Sequence, residues 1–398
     1  GGYLPKRDVS PSSLTPPDAD IFDTFNGGSE SRSLSTTTAM VRLLTKLLRD
    51  KAVGQYIVPI VPDEARTFGM DALFKVAGIY SPDGQRYTPV DAEALNSYRE
   101  AVDGQILQEG ICEAGAIASF IAAGTAYATF AVPTIPFYIF YSMFGFQRVG
   151  DMIWASADMM ARGFLLGGTA GRTTLNGEGL QHQDGHSPVL ASTVPSVRTY
   201  DPAFSWELAI LVRYGIQRMF IEDHDEFFYL MMYNQALPMP PRPAHTDLEE
   251  GVIRGGYLLE PASGKGRRVN LLGSGTILFE VIEAASRLRA DDYAVAVYSI
   301  TSYVELARDA ERAEQSTLSG CAETSWLNAL FSEPGVPTVA ATDYVRALPR
   351  MIASWLPGPF VALGTDGFGM SERREDLREH FKVDAESIAE VARKLAAH

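Results

Sequence analysis

Only two cysteines, Cys112 and Cys321, occur in these 398 residues. Two thiols cannot build a disulfide framework or a thiolate metal site, and such sparse usage suits a reducing cytoplasm. Basic residues are scarce as well: 34 Lys and Arg stand against 49 Asp and Glu, a formal charge of −15. A protein that grips a phosphate backbone needs a concentrated basic face, so nucleic acid is not an expected partner. Long apolar runs are also missing. The stretches 114–130 and 134–146 are interrupted by Gly, Ser, Thr or Pro and are too short or mixed for a spanning helix, so no membrane segment is expected. The chain opens Gly1-Gly2-Tyr3-Leu4-Pro5, without an initiator Met or a charged-then-apolar leader, and reads as the start of a fragment, not as a signal peptide.

What is present is a globular composition, 46% hydrophobic and 21% charged, with enough length for two domains that each bury a core. Residues 1–34 are rich in Pro, Ser, Asp and Gly without an apolar period, and read as a linker or as an arm lying on another surface. From Ser35 or Thr36, a capping residue, the positions Met40, Val41, Leu44, Leu47 and Leu48 recur at helical spacing. Strand candidates at 56–61, 134–141 and 227–233 alternate with helical stretches at 111–127 and after Asp201-Pro202, read as a cap and first-turn proline. This alternation predicts an α/β fold with a mainly parallel sheet covered by helices. The prolines between 234 and 250 can continue neither element, and the domain boundary is placed there. A second strand–helix series follows at 269–272, 277–288, 294–300, 338–340, 344–355 and 360–363.

Three blocks are long and nearly unbroken matches to one family: Pro62-Asp63-Glu64-Ala65-Arg66-Thr67-Phe68-Gly69-Met70, Gly104-Gln105-Ile106-Leu107-Gln108-Glu109-Gly110-Ile111, and Gly171-Arg172-Thr173-Thr174-Leu175-Asn176-Gly177-Glu178-Gly179-Leu180-Gln181-His182. With the segment from Ile135 to Arg148 and the distal Leu363-Gly364-Thr365-Asp366-Gly367-Phe368-Gly369, the chain resembles the homodimeric, single-chain bacterial type of pyruvate dehydrogenase decarboxylase from Ser35 onward. The resemblance implies two transketolase-like domains: 35–237, which receives the aminopyrimidine ring of thiamin diphosphate, and the carboxy-terminal 238–398. A further amino-terminal domain of the family holds the diphosphate and Mg through a Gly-Asp-Gly signature, and no such triplet occurs here. No metal ligand is therefore expected on this chain. The implied partners are that diphosphate-binding domain, a second copy of the protein as a homodimer, and a lipoyl-bearing dihydrolipoamide acetyltransferase.

Glu113 resembles the family's cofactor-activating glutamate, which shares a proton with a ring nitrogen. Such a carboxyl needs an apolar setting, and Ile111, Ala114, Ala116 and Ile117 are its sequence neighbours. A glutamate at a helix start is also favourable for the dipole alone. Phe144 resembles the aromatic that stacks on the aminopyrimidine and Ile111 the wedge that bends the cofactor, although either residue type is ordinary in a core. His182 and Tyr141 match polar residues at the substrate end, and both can donate to a carboxylate or to a developing oxyanion. His182 and His186 four apart could alternatively bind a metal, but Gly185 breaks the helix such a pair needs. Of the adjacent Asp63 and Glu64, the family points to Glu64 as catalytic, while a helix-start acidic pair is the plainer alternative; Glu178 is a weaker carry-over. The fragment Gly273-Ser274-Gly275 reads as a tight connection more readily than as a phosphate turn. Three departures stand out: Gln183 where the family more often has an acid, Asp158-Met159-Met160 with Met in place of polar residues, and Met370 in place of a basic residue after Gly369.

The implied activity is oxidative decarboxylation of pyruvate with acetyl transfer to a lipoyl group, this chain supplying one half-site and being inactive alone. The alternatives are a related 2-oxo acid or transketolase-type enzyme on the same fold, or a non-catalytic dimerisation or docking fragment.

Overall fold

The computed structural model describes residues 14–29, 32–62, 65–175, 178–244 and 247–397. Helix α1 (Thr36–Leu47) starts where Ser35 Oγ accepts the Thr38 amide and buries Met40, Leu43, Leu44 and Leu47. Ahead of it, Leu14, Phe22 and Phe25 are buried, and Ser33 and Leu34 pair antiparallel with Leu237 and Pro238.

The first sheet contains β1 (Ile57–Val61), β2 (Leu107–Gln108), β3 (Ile135–Tyr141), β4 (Phe164–Gly168), β5 (Val197–Tyr200) and β6 (Phe227–Met231), in the order β2-β1-β3-β4-β6-β5. Every pairing is parallel. All seven residues of β3, Ile-Pro-Phe-Tyr-Ile-Phe-Tyr, are buried, as a strand with neighbours on both edges and helices on its faces requires. Helix α2 (Glu113–Gly124) consists largely of Ala and Gly, which lets it lie close against β3 and against α3 (Phe146–Asp158).

Helix α4 (Ser205–Ile216) does not begin at Asp201-Pro202, because Asp201 turns inward to accept from Tyr233. The helix start is satisfied from its third residue instead: Glu207 Oε2 accepts from the amides of Ala203 and Phe204 at 2.6 and 3.0 Å. Its other oxygen accepts from Tyr257 and Ser299 of the second sheet at 2.6 and 2.7 Å.

The second sheet runs β7-β9-β8-β10-β11, from β7 (Tyr257–Ser263), β8 (Arg268–Gly273), β9 (Ala294–Ser299), β10 (Thr338–Ala341) and β11 (Phe360–Leu363). β7 is antiparallel to β9 and the others are parallel. Helices α5 (Ile277–Ala290), α6 (Tyr303–Leu318), α7 (Arg374–Phe381) and α8 (Ala385–Ala397) complete this half. The segment 344–355 forms two short turns, Ala347–Arg350 and the 3-10 turn Ala353–Trp355, with Pro349 lacking the amide that a continuous helix would use. No helix among the described residues is long and apolar enough to cross a membrane.

Candidate active site

In an open parallel sheet, ligands settle beyond the carboxyl ends of the strands, where the strand order turns back on itself. In the first sheet that point is β1: the chain moves to β2 on one side and then crosses to β3 on the other. The loops leaving these strands carry most of the candidates. Glu113 follows β2, and Tyr141 and Phe144 close β3. Glu64 follows β1, but Asp63 and Glu64 lie outside the described residues, as do Asn176 and Gly177.

Glu113 opens α2 and is 7% exposed. Its Oε1 accepts from Arg148 Nη1 at 2.8 Å, and no described residue donates to Oε2. The Arg148 guanidinium lies 4.0 Å from the centre of the Phe144 ring. Phe144 packs 5.1 Å from the His182 ring, His182 packs 4.5 Å from Tyr141, and Tyr141 packs 5.1 Å from Phe68. Glu113, Arg148, Phe144, His182 and Tyr141 therefore form one contiguous cluster.

His182 sits in the 3-10 turn Leu180–His182. Its Nδ1 lies 3.7 Å from Glu178 Oε2 and is buried without a hydrogen-bond partner among the described residues. Tyr138 lies beneath Glu113 and donates to its carbonyl at 3.4 Å. Burial first, and the charge of Glu113 second, push the Tyr138 phenol above its ordinary range, so it stays a donor. The turn beyond β3 is fixed by Asp184, which accepts from Ser142 Oγ and from Gln147 Nε2 at 3.3 Å.

The apolar lining expected around Glu113 is only half realised. Ala116 and Ile117 are fully buried in the core, whereas Ile111 is 72% exposed and the ion pair with Arg148 stands beside the carboxylate. Arg148 is the member of the cluster that sequence reasoning passed over. Its cue was available, because a cation in the first turn of a helix opposes the dipole unless a carboxylate accompanies it. Gly273-Ser274-Gly275 lies against the first half of the chain, where Gly275 N donates to Asp201 O at 3.2 Å, while Ser274 Oγ meets Thr342 Oγ1 of its own half at 3.1 Å. A separate cleft of about 500 Å³ lies at the amino-terminal ends of β5 and β6, away from this cluster, and among its lining residues Arg198, Glu226, Glu305 and Arg308 are paired with one another.

Aminopyrimidine binding calls for an acid, an aromatic face and an apolar wedge, and Glu113, whose Oε2 has no donor among the described residues, Phe144 and the exposed Ile111 match that set in kind. Among the described residues no group of three or more His, Cys, Asp or Glu side chains is arranged to hold a metal ion.

The family profile described as the pyruvate dehydrogenase E1 component middle domain matches residues 14–240, and that of the transketolase-like C-terminal domain matches residues 255–384. The chain belongs to the pyruvate dehydrogenase E1 component family. It is 49% identical over 395 residues to the pyruvate dehydrogenase E1 component of Corynebacterium glutamicum, covering 98% of this chain and 43% of that protein. The Escherichia coli K12 protein of the same name is 46% identical, covering 98% and 44%. The chain thus spans less than half the length of these curated relatives. Among solved structures, the transketolase of Leishmania mexicana superposes with a TM-score of 0.70 at 16% identity, covering 96% of this chain and 48% of that one. A chain described as a split gene transketolase, inactive beta4 tetramer, superposes with a TM-score of 0.60 at 16% identity, covering 92% and 99%. These likenesses establish a transketolase-like α/β fold.

Proposed function

We propose that the complete protein catalyses thiamin diphosphate-dependent oxidative decarboxylation of pyruvate with acetyl transfer to a lipoyl-bearing dihydrolipoamide acetyltransferase, and that this chain supplies the half-site for the aminopyrimidine. The observation that carries the reading is the continuous cluster of Glu113, Phe144, His182 and Tyr141 at the strand-order reversal, in a chain that spans 43% of its relative's length. Bound thiamin diphosphate supplies the electron sink. Glu113 Oε2 faces a ring nitrogen and shares a proton with it. Phe144 offers a stacking face once the half-exposed Arg148 guanidinium moves aside, and Ile111 wedges the ligand from the solvent side. Tyr141 and His182 donate hydrogen bonds at the substrate end, and Glu64 is assigned a catalytic role on the family resemblance.

The diphosphate and Mg are assigned to an amino-terminal domain outside this chain. A working site then needs that domain and a second protomer, within a cytoplasmic homodimer. The fold also stands as its own chain in the split-gene transketolase described as inactive, which fits a half-site that does not work alone.

The test is calorimetry of thiamin diphosphate with Mg, on this chain alone and on the full-length protein, together with Glu113→Gln. We expect binding only to the full-length protein, and a Gln variant that retains much of the affinity but loses about 10²–10⁴-fold in pyruvate decarboxylation. Tight metal-dependent binding to the chain alone, or full activity of the Gln variant, refutes the proposal.

A further inference from the structure

Two of the three departures in the sequence, Gln183 and Met370, touch each other. Gln183 is 5% exposed, and both ends of its amide meet one residue of the second half of the chain: Nε2 donates to Met370 O at 2.9 Å and Oε1 accepts from Met370 N at 2.8 Å. The loop is shaped around this pair, since a Cβ on Gly369 would lie 2.2 Å from Gln183 Oε1. The next two residues are held as well. Asp184 accepts from Ser142 at the end of β3, and Gly185 O accepts from Val345 N at 2.7 Å. Residues 183–185 are thus fixed alternately to the second sheet's loops, to the first sheet and to the second again.

His182 directly precedes this clamp. Its Nδ1 has no hydrogen-bond partner among the described residues, so ring packing on Tyr141 and Phe144 and the backbone leading into Gln183 set where it stands. We infer that Gln183 is a positioning residue, whose amide clamps the Met370 loop onto the His182-bearing segment and thereby aims the His182 ring at the substrate. This rests on the reading that His182 faces the substrate.

The chemistry of position 183 is restrictive. A peptide offers one donor and one acceptor, and an amide answers both. A carboxylate has only acceptors and would turn one of them toward Met370 O, whereas the protonated acid again has a donor and an acceptor. An ionised acid here needs a cation at 370.

The experiment uses the full-length enzyme containing this chain, loaded with thiamin diphosphate and Mg, measuring kcat and KM for pyruvate between pH 6 and pH 8.5 together with thermal unfolding midpoints. Because an ångström of misplacement is worth up to 10²-fold, Gln183→Leu is expected to lower kcat by about 10–100-fold, with little change in cofactor affinity. Burial against the Met370 carbonyl holds the new carboxyl above its ordinary range, so Gln183→Glu should lose activity as pH rises and fall toward the Leu variant at pH 8, giving a limb the parent profile lacks. Adding Met370→Arg should restore its activity at pH 8. A parent-like kcat in Gln183→Leu, a parent-like pH profile in Gln183→Glu, or losses that merely follow the folded fraction would overturn the inference. Should Gln183→Leu fail to fold, the pH dependence of Gln183→Glu and its rescue decide. His182→Gln separates the two readings: if it leaves turnover unchanged, the assignment of His182 fails, and if it is crippling while the Gln183 variants are silent, only the positioning role fails.

Discussion

Asp201 offers a titration whose size follows from its surroundings. The side chain is 4% exposed at the junction of the two sheets, Oδ1 accepts from Tyr233 OH, and Oδ2 has no hydrogen-bond partner among the described residues. Burial pushes its carboxyl from the ordinary 3.8 up to about 7; the Tyr233 hydrogen bond and then the neighbouring Ser274 hydroxyl oppose that rise, and the charges of Asp343 and Glu207 add to it. A carboxyl raised in this way keeps a proton in the folded protein that the unfolded chain releases. Its contribution to stability is therefore fully present below the unfolded value and is lost as pH rises through about 7. Between pH 6 and pH 8 the loss works out to about 1.4 kcal/mol. Asp201→Asn keeps an acceptor for Tyr233 and cannot titrate. Its Nδ2 takes the place of the unpartnered Oδ2, which adds a pH-independent offset of about 1–2 kcal/mol. Urea unfolding of the parent and the variant from pH 5.5 to 8.5 isolates the effect, together with its coupling to Asp343 and Glu207, in the difference between their stabilities, since the distant His and carboxyl groups contribute equally to both. A difference that stays constant across that range would refute the reasoning.

Asp343 accepts four hydrogen bonds, from the amides and hydroxyls of Thr173 and Thr174 at 2.5–3.0 Å. Asp343→Ala strands those buried donors, for an expected loss of about 3–5 kcal/mol in urea unfolding, and a loss under about 1 kcal/mol would count against the contact. Gly275 has φ +51°, and a Cβ there would lie 2.4 Å from Tyr233 OH and 2.6 Å from Asp201 Oδ1. Gly275→Ala should destabilise by about 2–4 kcal/mol by the same measurement, and a neutral outcome would mean that this turn is not the tight fit it looks.

Much of the fold was legible because its signals are local. Continuous apolar runs marked β3, β6 and β10, and Ser35 ahead of an apolar helical period marked α1. Three features were harder to read. β7 escaped because Glu260 and Pro261 break its apolar pattern; an edge strand tolerates both, and the register shifts beside them show how. Helix α6 carried an overlooked signal in Ser302-Tyr303-Val304-Glu305, a capping pattern in which Ser302 Oγ accepts the Glu305 amide at 2.9 Å. Asp201-Pro202 sent the opposite signal, a helix start, because no local pattern foretells that Tyr233, 32 residues away, takes the Asp carboxylate. Within the candidate site, the types of Glu113, Tyr141, Phe144 and His182 were readable from motifs, but their contact through Arg148 depends on how α2 and α3 pack. The pairing of Gln183 with Met370 spans 187 residues and lies beyond any spacing rule.

The second sheet repeats the strand-order reversal of the first and uses it differently. There β8 is the turning point, with β9 on one side and β10 on the other, so the loops after β8 and β10 frame a second crevice of the kind that receives ligands. The first half of the chain fills it. Thr173 and Thr174 lie on Asp343, Thr174 Oγ1 meets Thr276 Oγ1 at 2.6 Å, Tyr233 reaches Tyr344 at 3.2 Å, and Asp201 accepts the Gly275 amide. Several polar groups at that edge, among them the Gly275 amide just ahead of α5, are met by protein groups, while Asp201 Oδ2 has no partner among the described residues. This explains why Gly273-Ser274-Gly275 looks like a phosphate turn and is packed like a joint. Because the joint is built from buried hydrogen bonds, separating the halves would strand donors and acceptors on both, each costing about 1–3 kcal/mol unless water reaches it. One reversal point is left open beside Glu113, and the other is closed by Thr173, Thr174, Tyr233 and Asp201.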